Sequence, residues 1–111
     1  MLNNSDSDII NKLIKICENK KCEDIRQYNL TGNSILSDYF LVLSVKNKIH
    51  CRSVLNDLKK NVNRGKVSGS IESEWVILDL GTVIVHIITE KLRTYYKLDS
   101  IFERRAVVYH S

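Results

Sequence analysis

Two apolar segments in the second half of the chain constrain its fold more than any other feature. Trp75–Asp79 and Val83–Ile88 are rich in β-favouring residues, and Leu80-Gly81-Thr82 between them is short enough for a hairpin turn. Both segments are apolar on both alternations, which is typical of strands that are covered on each face of a sheet. The chain must therefore build a β-sheet with a layer on both sides.

The rest of the pattern predicts a mixed α/β fold. Apolar residues recur at helical spacing in two places, and the second of these helices has Asn47 as a plausible N-cap and Gly65 as its left-handed end. A turn is predicted at Gly32-Asn33. The elements in order are a helix (6–22), strands (24–30, 39–45), a helix (47–65), strands (66–72, 75–79, 83–88) and a short helix (90–96). This predicts an α/β domain, 1–111, with a mixed four- to five-stranded sheet.

Two long helices cover roughly one face of such a sheet, so the other face needs a second covering layer. The short C-terminal tail, 100–111, contains Ile101, Phe102 and Val107 and is one candidate. A second subunit, giving a homodimer, and a partner protein are the alternatives. The sheet pattern thus indicates an interaction module.

The net charge of the 111-residue chain is +4, and the basic excess is concentrated around the second helix. Lys48, Arg52, Lys59 and Lys60 lie on the face opposite its apolar stripe. The helix has no aromatic residue, so stacking on nucleic-acid bases is not expected. A solvated helix face and a weak RNA phosphate contact are the two interpretations, and a small RNA-binding module is the corresponding alternative function.

Catalytic, metal and cofactor motifs are not recognisable in the sequence. Three cysteines, an odd number, do not indicate a disulfide framework or zinc spacing and favour a reducing cytoplasm. Asp6-x-Asp8 and Glu72-x-Glu74 have the spacing of metal-binding carboxylates but lack a phosphate loop. The polar N-terminus and the absence of a long apolar run predict a cytoplasmic protein with no membrane span. A divergent nucleotide-binding enzyme or nucleotidyl transferase is the alternative to an interaction module.

A family resemblance adds to these patterns. The segment from Glu74 to His86, followed by Arg93-x-x-Tyr96-x-Leu98-Asp99, resembles the second half of the ribosomal silencing factor family (RsfS, also called Iojap). Asp24-Ile25, Gly32-x-Ser34-x-x-x-Asp38-Tyr39-Phe40 and His50 resemble its first half. The resemblance covers about residues 8–107. Between Ser44 and His50 the chain lacks the Gly and Arg of the family pattern.

The resemblance implies a nucleotidyltransferase-like fold without a catalytic set. It further implies binding to ribosomal protein L-fourteen on the free large subunit, which blocks joining with the small subunit and represses translation, and a role for some members in large-subunit assembly. No cofactor is implied.

Because steric blocking requires only a surface, the candidate contacts are sought on the most characteristic strand and the helix after it. Trp75 could be an interface anchor or core, and for Leu78 core packing is slightly favoured. His86 could be a partner contact, an acid–base group or a half-buried side chain with one hydrogen bond. Asp79, with Glu72 and Glu74, would face basic groups of the partner. The predicted partner-binding residues are Trp75, Val76, Leu78, Asp79, Tyr96 and His86.

Overall fold

A single mixed sheet is the frame of the computed structural model, which describes residues 4–30, 39–103 and 107–110. The elements are α1 (Asn4–Asn19), β1 (Glu23–Asn29), β2 (Tyr39–Val45), α2 (Lys48–Val62), β3 (Lys66–Ser70), β4 (Trp75–Asp79), β5 (Val83–Thr89), α3 (Glu90–Tyr95), α4 (Leu98–Glu103) and β6 (Val107–His110). The strand order is β3-β4-β5-β2-β1-β6. The predicted α/β class is confirmed, and β6 in the tail brings the sheet to six strands, beyond the four to five expected.

The centre of the sheet is formed by β2 and β5, which run parallel in register from Tyr39 beside Val83 to Val45 beside Thr89. The other four neighbouring pairs are antiparallel. The predicted β4–β5 hairpin is confirmed. The chain passes from β2 to β5 through α2, β3 and β4. The strand that pairs in parallel with β2 is therefore the third strand after the helix, not the first.

The first face of the sheet is covered by α1 and α2. Their apolar stripes contribute Ile10, Leu13, Val54 and Leu58, each no more than 1% exposed. These side chains pack on alternate residues of the central strands, which are Leu41, Leu43, Val76, Leu78, Val85 and Ile87. The helical periodicity in the sequence therefore becomes the main hydrophobic core.

Both long helices end earlier than the sequence pattern predicts. In α1, Lys21 adopts a left-handed φ of 61°, so the helix stops at Asn19. In α2, Asn47 caps the start as predicted, accepting a hydrogen bond from the His50 N–H at 2.8 Å. Asn63, with a φ of 52°, takes the left-handed end position that was predicted for Gly65. Asparagine tolerates this conformation better than other non-glycine residues.

The second face is covered in part by the C-terminal region of the same chain. Tyr28, Val42, Ile88 and Leu98 form a smaller buried cluster, and Phe40, Trp75, Leu92 and Phe102 pack against it. Three alternatives were predicted for the layer on this face: the C-terminal tail, a second subunit and a partner protein. The tail supplies part of it, because Phe102 in α4 packs against the smaller cluster. Strand β6 of the tail pairs with β1 at the edge of the sheet. The predicted turn at Gly32-Asn33 lies outside the described residues.

Candidate docking surface

Strand β4 divides its side chains between the two faces of the sheet. Val76 and Leu78 belong to the main core and are 1% and 0% exposed. Trp75, Ile77 and Asp79 alternate with them and lie on the second face, where each is partly exposed. Alternate residues of this strand therefore belong to the core, and the residues between them contribute to the surface.

A shallow apolar groove of about 260 Å³ opens on the second face between β4 and α3. The rings of Trp75 and Tyr96 lie 5.8 Å apart between centroids, and Tyr96 is 49% exposed. The residues of this docking groove are Gly69, Ser73, Trp75, Ile77, Leu92 and Tyr96. Aromatic and aliphatic side chains without a charge are the composition expected at the centre of a protein-binding surface.

Gly69 shapes one side of the docking groove with its main chain. It has a φ of 74°, and a Cβ at this position would lie 2.3 Å from the carbonyl oxygen of Trp75. The adjoining turn is held by Ser73, whose Oγ donates to the Ser70 carbonyl at 2.9 Å and whose N–H donates to Ser70 Oγ at 3.0 Å. The β3–β4 hairpin therefore places bare backbone directly against Trp75.

His86 supports the docking groove from below. The Trp75 Nε1–H donates to His86 Nδ1 at 3.2 Å, and the imidazole lies 5.0 Å from the Phe40 ring and 5.2 Å from the Phe102 ring between centroids. His86 is 6% exposed, and burial lowers its pKa to about 4. Its Nε2 has no hydrogen-bond partner among the described residues. The imidazole is therefore neutral at pH 7, with Nδ1 as the acceptor.

We expect the buried imidazole to make the free energy of unfolding depend on pH between its two pKa values. The ordinary pKa is 6.5 and the folded value is about 4, so in this window the unfolded chain binds a proton that the folded chain does not. Stability should fall as the pH drops, by up to about 1.4 kcal/mol per pH unit, and this contribution should be constant above pH 6.5.

Urea unfolding of the wild type and of His86→Phe at a series of pH values measures this effect. The difference between the two chains isolates His86 from the carboxylates that titrate in the same range. If the free energy of unfolding changes with pH equally in the two chains, His86 is not the group that causes the pH dependence.

An ion pair between a buried arginine and a partly buried aspartate attaches α3 and α4 to the sheet. Arg93 is 4% exposed; its Nε and Nη2 donate to the two Asp99 carboxylate oxygens at 2.6 and 2.9 Å. Its Nη1 donates to the Asp24 carbonyl at 2.7 Å and to Ser44 Oγ at 2.8 Å. The Tyr28 hydroxyl also donates to Asp99. Burial opposes the charge of Asp99, but these hydrogen bonds and Arg93 hold the pKa of its carboxyl below the ordinary value.

The structure separates the predicted contact residues into three groups. Trp75 and Tyr96 meet in the docking groove, as the surface interpretation requires. Val76 and Leu78 are buried under the long helices, and His86 is buried beneath Trp75, so none of these three offers a side chain to a partner. Asp79 is partly exposed, and its Oδ1 accepts the Gly81 N–H at 2.8 Å, which stabilises the hairpin turn.

Four residues of the groove were missed from the sequence: Ile77, Leu92, Gly69 and Ser73. Ile77 could have been found, because it is two residues from Trp75 and strand alternation places both on one face. Leu92 precedes Tyr96 by four residues, the spacing at which helical side chains are neighbours. Nothing in the sequence marks Gly69 as the backbone wall of the groove.

The basic face of α2 does not line the groove. Lys48, Arg52, Lys59 and Lys60 are exposed, and Lys48 pairs with Glu72 at 3.2 Å. Two crevices of about 300 and 360 Å³ at the carboxyl ends of β2 and β5 are lined by side chains of both charges. In the part of the chain that the structure describes, no three His, Cys, Asp or Glu side chains are grouped to hold a metal ion.

Comparisons with known proteins agree on one family. The family model described as ribosomal silencing factor during starvation, RsfS, matches residues 3–110. The chain is 30% identical over 91 residues to ribosomal silencing factor RsfS of Bacillus subtilis, covering 78% of this chain and 77% of the relative. It is 25% identical over 103 residues to the factor of the same name from Halalkalibacterium halodurans, covering 88% of each.

Two crystal structures show the same fold. A Chromobacterium violaceum protein superimposes with a TM-score of 0.77 at 22% identity, covering 87% of this chain and 85% of the other. A Bacillus halodurans protein has a TM-score of 0.72 at 23% identity, with 86% and 93% covered.

The sheet, its helical layers and its open groove define the class as a small α/β domain with an exposed apolar surface. With the family model spanning nearly the whole sequence, the chain belongs to the RsfS family of ribosomal silencing factors. This confirms the family predicted from the residues between Glu74 and Asp99. In the described residues no helix is both long and apolar enough to cross a membrane.

Proposed function

We propose that this chain represses translation by binding the large ribosomal subunit through its docking groove. The partner is ribosomal protein L-fourteen, and the bound domain sterically blocks joining with the small subunit, with a further role in large-subunit assembly. The observation that carries the proposal is the uncharged groove between Trp75 and Tyr96 in a member of a silencing family. The named relatives are themselves ribosomal silencing factors.

The contact surface we assign differs from the one predicted from the sequence. It keeps Trp75 and Tyr96, adds Ile77 and Leu92, and does not use the buried side chains of β4. Asp79 lies at the rim of the same face and would set register against basic groups of the partner. The apolar centre supplies most of the affinity, because buried aromatic anchors dominate interfaces of this kind.

Two adjacent tyrosines provide a matched test of this surface. Tyr96 lines the groove, whereas Tyr95 is 76% exposed and lies outside it. We expect Tyr96→Ala to weaken binding to purified large subunits by about tenfold, equivalent to about 1.4 kcal/mol, and Tyr95→Ala, which removes only an edge contact to the Tyr96 ring, to weaken it much less. Co-sedimentation of each variant with large subunits over a concentration series gives the two affinities.

Equal affinities of the two variants would contradict the assignment of the groove. The same sedimentation at rising salt measures any ribosomal RNA phosphate contact from the basic face of α2. Analytical ultracentrifugation of the free protein at the same concentrations measures whether two copies pair through this face as a homodimer.

We propose that the protein acts without catalysis, in the cytoplasm, where the free large subunit is found. Occupying a surface requires affinity and bulk, whereas an enzyme must place charge against a transition state.

We expect no change in Tm when ATP or GTP is added with Mg²⁺, because a ligand that binds the folded state must stabilise it. Thermal unfolding with each nucleotide measures this, and a clear rise in Tm would favour a nucleotide-binding enzyme.

A further inference from the structure

The end of α1 brings two cysteines into contact. The Lys21 N–H donates to the Glu18 carbonyl at 3.0 Å, and the Cys22 N–H donates to the Cys17 carbonyl at 2.9 Å. With Lys21 in the left-handed conformation, these two bonds form a Schellman motif. This motif places the side chains of its two outer residues against each other, and here those residues are Cys17 and Cys22.

The two thiols differ in access to solvent. All three cysteines, including Cys51, are free. Cys17 is 0% exposed, whereas Cys22 is partly exposed at the edge of the main core. Cys22 packs against the core cluster that contains Cys17, as expected for the outer residues of a Schellman motif. A reagent can therefore reach Cys22, while Cys17 lies directly behind it.

The turn that holds the two cysteines is fixed by α2. The Lys20 carbonyl is hydrogen-bonded to His50 Nε2 at 2.6 Å, and Lys20 Nζ donates to Ser53 Oγ at 2.9 Å. The turn between the two cysteines is thus anchored in the reduced protein, and its Schellman geometry places their side chains next to each other for a bond between the sulfurs.

We propose that Cys17 and Cys22 are a site of reversible oxidative modification, at which a peroxide converts the two thiols into an intramolecular disulfide. The hydrogen bond from the Cys17 thiol lowers the pKa of Cys22, and the same bond together with burial raises the pKa of Cys17. Cys22 is therefore the sulfur that reacts first, because the thiolate is the nucleophile.

The reaction has two balanced steps. The Cys22 thiolate attacks one oxygen of hydrogen peroxide; the O–O bond breaks, and the departing hydroxide takes a proton to give water and a sulfenic acid on Cys22. The Cys17 sulfur then attacks the Cys22 sulfur, forming the S–S bond and breaking the S–O bond. The departing hydroxide takes the Cys17 proton to give a second water. Two thiols have lost two electrons to one peroxide, and a dithiol reductant reverses the change.

Thiol counting on the full chain tests this site. The reduced protein is treated with hydrogen peroxide, excess peroxide is removed, and thiols are titrated in denaturant. We expect the count to fall from three to one, and peptide mapping to find the link between Cys17 and Cys22. Dithiothreitol should restore all three thiols.

Single variants identify the sulfurs involved. Cys51→Ser should still lose two thiols, whereas Cys22→Ser should form no internal disulfide. Because Cys22 is partly exposed, its replacement keeps the fold, and circular dichroism checks this. Retention of all three thiols, a link to Cys51, or a link only between two chains would overturn the proposal.

Discussion

Replacing Arg93 with alanine should lower the free energy of unfolding by about 3 kcal/mol, because it leaves the partly buried Asp99 carboxylate, 21% exposed, without its cation. The guanidinium donates to both oxygens of Asp99 and also to the Asp24 carbonyl and Ser44 Oγ. All these acceptors would lose a donor in one substitution. In a domain of this size, Tm should fall by about 4 °C for each kcal/mol.

Two other arginine variants make the measurement specific. Arg93→Lys keeps the charge but cannot donate to both Asp99 oxygens in a fork, so its loss should lie between that of alanine and zero. Arg64→Ala removes an exposed arginine and should change stability by no more than about 0.5 kcal/mol. Chemical unfolding followed by circular dichroism gives the three values. A loss below about 1 kcal/mol for Arg93→Ala would show that the ion pair is not important for the fold.

Trp75→Ala should reduce the affinity for large subunits by at least about 30-fold, equivalent to about 2 kcal/mol, because Trp75 is the largest side chain of the docking groove. The variant also removes the hydrogen bond to His86 Nδ1 and packing on the second cluster, so it should be less stable than the wild type. Co-sedimentation below the Tm of the variant separates these two effects.

Trp75→Phe and Ile49→Ala are the controls for this prediction. Phenylalanine retains an aromatic ring in the groove and should restore part of the affinity. Ile49 is 83% exposed at the start of α2, outside the docking groove, and its replacement tests whether any exposed apolar side chain matters. Wild-type affinity in a folded Trp75→Ala protein would remove the groove from the proposed contact.

The strands were predictable from the sequence because their apolar alternation is strong, but the side on which each residue lies was not. In β4, residues of both faces are apolar, so the periodicity does not show which face stays open. That choice depends on where the four helices pack. Val76 and Leu78 were predicted as partner contacts, with core packing the slightly favoured alternative for Leu78, and both lie in the core, while Ile77 was missed.

The ion pair between Arg93 and Asp99 could be found in the sequence only as part of a family motif. Arginine and aspartate are seldom buried, so nothing local predicts that Arg93 is 4% exposed. Its pairing with Asp99 depends on Lys97, whose left-handed φ of 50° separates α3 from α4. Thr89 occupies the N-cap position of α3, but its side chain makes no capping hydrogen bond.

The close approach of Gly69 to Trp75 means that the shape of the docking groove and its chemistry are set by different parts of the chain. Its outline is set by main chain, since any Cβ at position 69 would force β3 away from the Trp75 carbonyl. Its chemistry is set by the rings of Trp75 and Tyr96, which can be exchanged without moving that backbone. Substitution of either ring would therefore change which partner surface is preferred, while the main chain at position 69 keeps the width of the docking groove.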